Sequence, residues 1–373
     1  MSSTRFSVPL LGLVLLGGCS SPPAAKVADA TELAPLRNPP HVVGRDGAAT
    51  ARAWGQDVWI FGDTFLDAPN AEGFNFVSNT FDTSALAVVD AGVQLVEPLD
   101  DAGAPASLLL PTPDELAYDV AHQQLPDGGC QETPCGGRFA TWPGTTLFDP
   151  ADGGTALVFY ALVQAAPGDF NFSVIGQGIA LWTDAAQPPT RPLLDLCDGG
   201  PPTALFCQDE PNWGEAGALF DGGVYAFACE QSGLAYPCRL ARVPFAQALD
   251  RSAWQFWSGG DWAAAPSAAR TLFEAGPIMS VFFNESLGAW MAVYSKPFSN
   301  EVAYRTAPDL TGPWSDEGSL FTADMGSSGG TAYDAYAHPE LAEDGGRVLY
   351  VTYSRSTGNL FGSEFALWRV TFR

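Results

Sequence analysis

Basic residues are scarce in this chain: 17 Lys and Arg stand against 42 Asp and Glu, for a formal charge of −25. Such a surface repels phosphate backbones and anionic headgroups, which excludes nucleic acid as a natural partner and favours a neutral ligand. Many of the acids fall in DGG and DAG turns and read as solvated surface. Histidine is rarer still. His41, His122 and His338 lie far apart, and no cysteine couple has CxxC spacing, so neither a metal nor a cofactor is expected. P-loop, dinucleotide and EF-hand patterns are missing. Helical periodicity is nearly absent, with only PFAQALDRSAW (244–254) suggesting a short helix. No Pro/Ser-rich linker divides the chain after residue 40, which leaves one large domain.

The long apolar run that exists is N-terminal. Arg5, the apolar stretch Val8 to Leu16 and LGGC make a signal too short to span a bilayer, which takes roughly 20 residues. LGGC resembles a bacterial lipobox with Cys19 as the lipidated residue; an ordinary secretory signal cut elsewhere is the alternative. Residues 1–18 are expected to be a signal peptide, 19–40 a lipidated Pro-rich tether, and 41–373 the folded domain. The protein is expected to be exported, held to a bacterial membrane by the lipid alone, and monomeric. Six further cysteines form close couples, Cys130 with Cys135, Cys197 with Cys207 and Cys229 with Cys238. Six cysteines allow 15 pairings; nearest-neighbour bonding in an oxidising compartment gives three small staples.

Strand patterns fill the rest. A strand, a polar turn and an apolar aromatic strand recur in 49–63, 144–163, 215–230, 278–296 and 337–355. Each is followed by a further alternating strand: SALAVVD, GIALWTD, RLARVPF, EVAYRTAPDLTGPW and FALWRVTF. Repeats of this kind predict an all-β fold, a five-bladed β-propeller with four-stranded antiparallel blades, in preference to two stacked sandwiches. Residues 98–140 read as a turn-rich excursion between the first two blades.

In GRDGAATARAWGQDVWIFGDTFL (44–66), a two-residue turn at Gly55–Gln56 places Asp63 opposite Ala48, with Asp46 two residues beyond on the same face. Diagonal neighbours of that kind are about 7–8 Å apart at the backbone, so the carboxyls reach the roughly 5–10 Å range of a glycosidase pair. The apolar VWIF run raises the Asp63 carboxyl by desolvation, while Arg45 beside Asp46 lowers its neighbour. Aspartates flanking glycine are also ordinary turn residues. Strand-end reasoning adds Arg45, Asn79, Trp142, Trp213, Glu215, Tyr336, His338 and Arg355 as residues of a common substrate-binding rim, with Trp and Tyr faces for sugar rings and Glu215 as a third acid or hydroxyl acceptor. GSSGG (326–330), followed by Asp334 and His338, has the order of a serine hydrolase but lacks the strand-to-helix setting of a nucleophile elbow.

The 44–66 stretch and FVSNTFDTSALAVV after it resemble the first blade of the five-bladed propeller family that includes endo-D-arabinanases. PNWGEAGALFDGGVYAFA and YDAYAHPEL resemble its third and fifth blades, and AYRTAPDLTGPWS an outer-strand motif of the wider arabinanase and fructosidase propellers. The RDG, FGDT and SNT elements are the specific part. The resemblance implies an inverting glycoside hydrolase acting on an arabinan-type polysaccharide, with Asp46 and Asp63 as general acid and base. The cysteine staples and the 98–140 excursion depart from that family. A lipid-anchored propeller that binds or scaffolds glycans without cleaving them is the alternative.

Overall fold

The computed structural model describes residues 25–373 apart from 86–88, 90–91, 126, 169–170, 327–331 and 360. The signal segment, Cys19 and residues 327–330 of the GSSGG motif lie outside the described residues.

Strand β1 (Val27–Glu32) is followed by one long bent hairpin made of β2 (Val42–Arg45), β3 (Ala49–Ala53), β4 (Gln56–Phe61) and β5 (Thr64–Leu66). Its turn is Trp54–Gly55, both at positive φ (49° and 76°), the combination that matches the twist of two-residue hairpins. The expected turn at Gly55–Gln56 is therefore displaced by one residue. Ala53 pairs with Gln56 and Thr50 with Trp59, and the same ladder, after a bend, pairs Arg45 with Thr64. Strand β6 (Phe76–Val77) extends the distal part, and β7 (Thr80–Ser84) pairs with β4.

Four more sheets follow, each a meander. After helix α1 (Pro113–His122) come β8 (Arg138–Asp149), β9 (Thr155–Ala165), β10 (Phe172–Trp182) and β11 (Phe206–Cys207). The third sheet contains β12 (Ala216–Phe220), β13 (Gly223–Cys229), β14 (Pro237–Pro244), β15 (Gln255–Trp257) and β16 (Trp262–Ala263), with β17 (Phe273–Glu274) against β14. The fourth is β18 (Met279–Asn284), β19 (Ala289–Ser295), β20 (Glu301–Ala307) and β21 (Gly318–Thr322). The fifth is β22 (Tyr333–Ala337), β23 (Val348–Ser356) and β24 (Ser363–Phe372), and β1 completes it by pairing with β24. The segment 27–32, expected in a tether, is thus an edge strand of the folded domain. All three nearest-neighbour disulfides are formed, Cys229–Cys238 between directly paired residues of β13 and β14.

The core is divided among the interfaces of successive sheets. Val58 and Ile60 pack with Val158 and Trp182, Phe159 and Ile179 with Val224 and Val243, Phe227 and Leu240 with Met279 and Val281, and Met291 and Val302 with Leu349 and Val351. A further cluster brings Trp59 and Phe61 against Tyr350 and Leu367, so the last sheet packs on the first. Each large apolar side chain so buried contributes about 1.5–3 kcal/mol. The expectation of four strands per sheet holds for the second, fourth and fifth. The first has three strands and an isolated bridge between Thr83 and Val96, the third has more than four, and β2, β5 and β6 form a separate small sheet.

Residues 244–254, read as a possible helix, form two short 3-10 turns, Phe245–Gln247 and Arg251–Ala253. The α-helix lies instead inside the excursion. Thr112 accepts from the Glu115 amide while Glu115 reaches back to the Thr112 amide, and Pro113 opens the first turn. The T-P-D-E spelling of that capping box was the available signal.

Arg45 anchors the hairpin. Its guanidinium is fully buried, 2.6 Å from Asp82 and 3.4 Å from Glu97, and lies 3.4 Å above the Phe61 ring. Arg45→Met should leave two buried carboxyls without their cation and cost about 3–5 kcal/mol. Urea denaturation would show a lowered midpoint at unchanged slope; an unaltered midpoint would show that the cluster is not needed for stability.

Candidate active site

A cavity of about 340 Å³ opens where the inner strands converge, and its wall carries four carboxyls, Asp46, Asp63, Glu215 and Asp334. Apolar and aromatic side chains, among them Ile60, Trp142, Tyr160, Val174, Trp213, Ile278 and Tyr336, make up the rest of the lining. Charged groups are therefore held against surfaces that solvate them poorly.

The corrected hairpin register decides the geometry of the first two acids. The Asp46 amide donates to the Asp63 carbonyl at 3.0 Å, and the Gly62 amide to the Asp46 carbonyl at 2.7 Å. Asp46 and Asp63 are thus direct cross-strand partners at the bend of the hairpin, whereas sequence arithmetic made them diagonal neighbours at its end. Their carboxyls are drawn to opposite flanks. Tyr333 of the fifth sheet donates its hydroxyl to Asp46 Oδ1 at 2.6 Å, and Trp142 of the second donates its indole N–H to Asp63 Oδ1 at 2.6 Å. Arg138 Nη2 stands 3.8 Å from Asp63 Oδ2.

Burial raises the Asp46 carboxyl above its ordinary range, with the Tyr333 hydrogen bond opposing. Asp63 is pushed to about 7, chiefly by burial; Arg138 and Trp142 oppose, and the charge of Asp46 adds to the rise. Glu215 accepts from Asn212 Nδ2 at 2.8 Å and from the Cys229 amide at 2.9 Å, yet burial still carries it to about 8. It immediately precedes β12 and follows Gly214, whose φ of 99° and tight contact with Phe159 leave no room for a side chain.

Asp334 and Tyr333 were not assigned to the site from sequence. The pairing of β22 with β23 is irregular between Tyr333 and Tyr336, and Asp334 adopts a left-handed φ of 54° at that point. Such an irregularity re-aims side chains, and aspartate tolerates the conformation. Burial and the charge of Asp46 raise the Asp334 carboxyl to about 7. In the sequence Asp334 stands out only through the serine-hydrolase order that it forms with GSSGG and His338.

Of the eight expected rim residues, Trp142, Trp213, Glu215 and Tyr336 line this cavity. The indole N–H of Trp213 is buried with no acceptor among the described residues, its ring packed against Phe206 and Phe256. The other four are corrections. Arg45 is spent on Asp82 and Glu97 behind the hairpin. Asn79 is fully buried and bonds the main chain of Leu109 and Thr141, tying the excursion to the first two sheets. His338 is fully buried between Thr50 (2.7 Å) and Thr352 (2.8 Å), and burial holds its pKa down at about 3, so it joins two sheets as a neutral ring. Arg355 pairs with Glu32 and Glu364 at 2.8 Å each, locking β1 to the fifth sheet. Adjacency in sequence to strand ends was a poor guide because alternate residues face opposite sides. Among the described residues, no group of three or more His, Cys, Asp or Glu side chains is disposed to hold a metal ion.

Comparison with known proteins bears on the fold. Residues 205–362 match a family model described as Domain of unknown function (DUF4185). Over 242 residues the chain is 26% identical to Notoamide biosynthesis cluster protein J from Aspergillus sp. (strain MF297-2), and spans 59% of that relative's length and 59% of its own. A Bacteroides ovatus protein named as a candidate hydrolase superposes with a TM-score of 0.58 at 15% identity, covering 89% of this chain and 86% of its own. The GH43_1 enzyme from Xanthomonas citri does so with a TM-score of 0.50 at 16% identity, covering 91% and 89%. At these identities the likeness is one of fold. The chain has an all-β, propeller-like fold.

The raised carboxyls make stability depend on pH with a definite sign. In the unfolded chain Asp63 ionises near 3.8, and in the folded chain near 7, so between these values the folded state binds more protons and loses stability as pH rises. Thermal melts should show a melting temperature that falls over that window, with a shallower fall in Asp63→Asn. An identical slope in the variant would mean that the carboxyl is not held protonated.

Proposed function

We propose that this chain is a glycoside hydrolase that cleaves a furanose-containing, arabinan-type polysaccharide, and that its sheets form a five-bladed propeller whose central cavity is the active site. The observation that carries the proposal is the Asp46–Asp63 pair: two adjacent carboxyls in an apolar cavity, held apart by hydrogen bonds to opposite flanks and differing in environment. An acid and a base with divergent environments are what glycosidic hydrolysis requires. The hydrolase name of the superposed Bacteroides ovatus protein and the glycoside-hydrolase designation of the Xanthomonas citri enzyme support the same reading.

Asp63 serves as the acid. With a pKa of about 7 it stays protonated in a large share of molecules at neutral pH, and in that form delivers the proton to the leaving oxygen. Asp46, raised by burial but held back by the Tyr333 hydroxyl bond and shifted less far than Asp63, serves as the base that takes a proton from water. The water oxygen attacks the anomeric carbon as the bond to the leaving oxygen breaks, so the product anomer is inverted. Trp142 and Tyr336 offer faces to the ring, and Glu215 is a third carboxyl for a sugar hydroxyl. Export and anchoring through Cys19, with the polysaccharide as partner and the protein as a monomer, belong to the same proposal.

Reducing-end release from arabinan checks it. Asp46→Asn and Asp63→Asn should each lower kcat by about 10²–10⁴-fold, the usual worth of a general acid or base, and Glu215→Gln by less. Wild-type kcat/KM should decline as pH rises through about 7, where Asp63 loses its proton. Full activity in both aspartate variants would sink the assignment, and proton NMR of the first product should show the inverted anomer.

A further inference from the structure

A second cavity, of about 590 Å³, lies between the small β2–β5–β6 sheet, helix α1 and the start of β8. Its volume falls in the range of about 300–1,000 Å³ typical of sites that enclose a small molecule. It adjoins the acid cavity through one strand: Arg138 to Thr141 of β8 line the larger space, and Trp142 to Gly144 line the smaller. Arg138 marks the junction, with its guanidinium 4.0 Å above the Phe76 ring and one nitrogen 3.8 Å from Asp63.

The wall chemistry suits a polyhydroxy chain. Phe74 and Phe139 are only partly buried and give apolar surface, Phe76 carries the Arg138 guanidinium on its ring, and Asn75, Gln123 and Gln124 supply amide groups beside them. Glu72, Glu115 and Asp119 also border the space, against Arg138 as the cation, so an anionic chain is disfavoured and a neutral one fits.

The frame is fixed before any ligand arrives. Arg191 grips Glu115 with two hydrogen bonds of 2.6 and 2.8 Å, Asp119 accepts from the Phe139 amide at 2.7 Å, and Gln123 donates to the Gly73 carbonyl at 2.8 Å. The Cys130–Cys135 bond closes the loop beyond α1. A site whose walls are already ordered loses little on binding.

We infer that this cavity is an oligosaccharide-binding site that holds several residues of a neutral glycan chain beside Asp63, so that the 98–140 excursion selects substrates by length. This rests on the reading of the acid cavity as a glycan-cleaving site. Two surface variants test it without touching the acids: Phe74→Ala combined with Gln124→Ala, which strips the wall, and Ser107→Trp, which fills the space while removing little. Calorimetric titration of the Asp46→Asn protein with arabinofuranose oligosaccharides of two to six residues is expected to show affinity rising at least tenfold with length. Either variant should abolish that rise. In the active protein, both should lower kcat/KM on arabinan at least tenfold and leave hydrolysis of an aryl arabinofuranoside, which needs only the acid cavity, unchanged.

Affinity independent of length, or equal losses on long and short substrates in variants with wild-type melting temperatures, would overturn the inference. The two readings fail separately. Should the wild type cleave no glycoside, the proposed function falls, while length-dependent binding lost in the wall variants still decides for this site.

Discussion

One buried cation governs the placement of the acids. The strand containing Arg45 alternates its side chains, so sending the guanidinium inward to Asp82, Glu97 and the Phe61 ring turns Asp46 toward the opposite side. The main chain of Arg45 is gripped as well. The Ser363 hydroxyl accepts from its amide at 2.9 Å and donates to its carbonyl at 2.8 Å, which fixes the hairpin to the fifth sheet. With Arg45 immobilised and Trp54–Gly55 setting the turn, a single register follows, and that register brings Asp63 beside Asp46. A slip of the ladder would lose the cluster and the pair together.

The cavity built on this frame works against the stability of the chain that carries it. Four carboxyls border a largely apolar space, and burial lifts all of them above their ordinary range. Keeping a proton on Asp63 near neutrality is useful for acid chemistry and costly once it ionises. The expense is offset elsewhere, in sheet interfaces packed with aromatic and branched side chains and in β1, which adds an outer strand to the fifth sheet. His338 shows the same economy from the other direction. Between two threonine hydroxyls and deprived of water it stays neutral and serves as a joint between the first and fifth sheets.

Much of the architecture was legible because it depends on local chemistry. Hairpin turns, alternating apolar strands and close cysteine couples are short-range features, and the strand-rich meanders and the three disulfides followed from them. The helix is legible in its cap and not in its periodicity, since Thr112 and Glu115 spell its start. The edge strand 27–32 was missed because its partner, β24, lies at the far end of the chain, and nothing in VADATE shows what will pair with it.

By itself the sequence determined that this is an all-β chain with short disulfide staples and that Asp46 and Asp63 share one hairpin, since turn chemistry and strand alternation act over a few residues. Only the tertiary structure decided which side chains face the cavity. Arg45, Asn79, His338 and Arg355 turned to ion pairs and hydrogen bonds between sheets, while Asp334 faces the cavity at an irregular strand pairing and its neighbour Tyr333 reaches Asp46. A side chain's direction depends on which partners the fold brings within reach, and those partners can stand at opposite ends of the chain, as Glu32 does for Arg355 and Thr50 for His338.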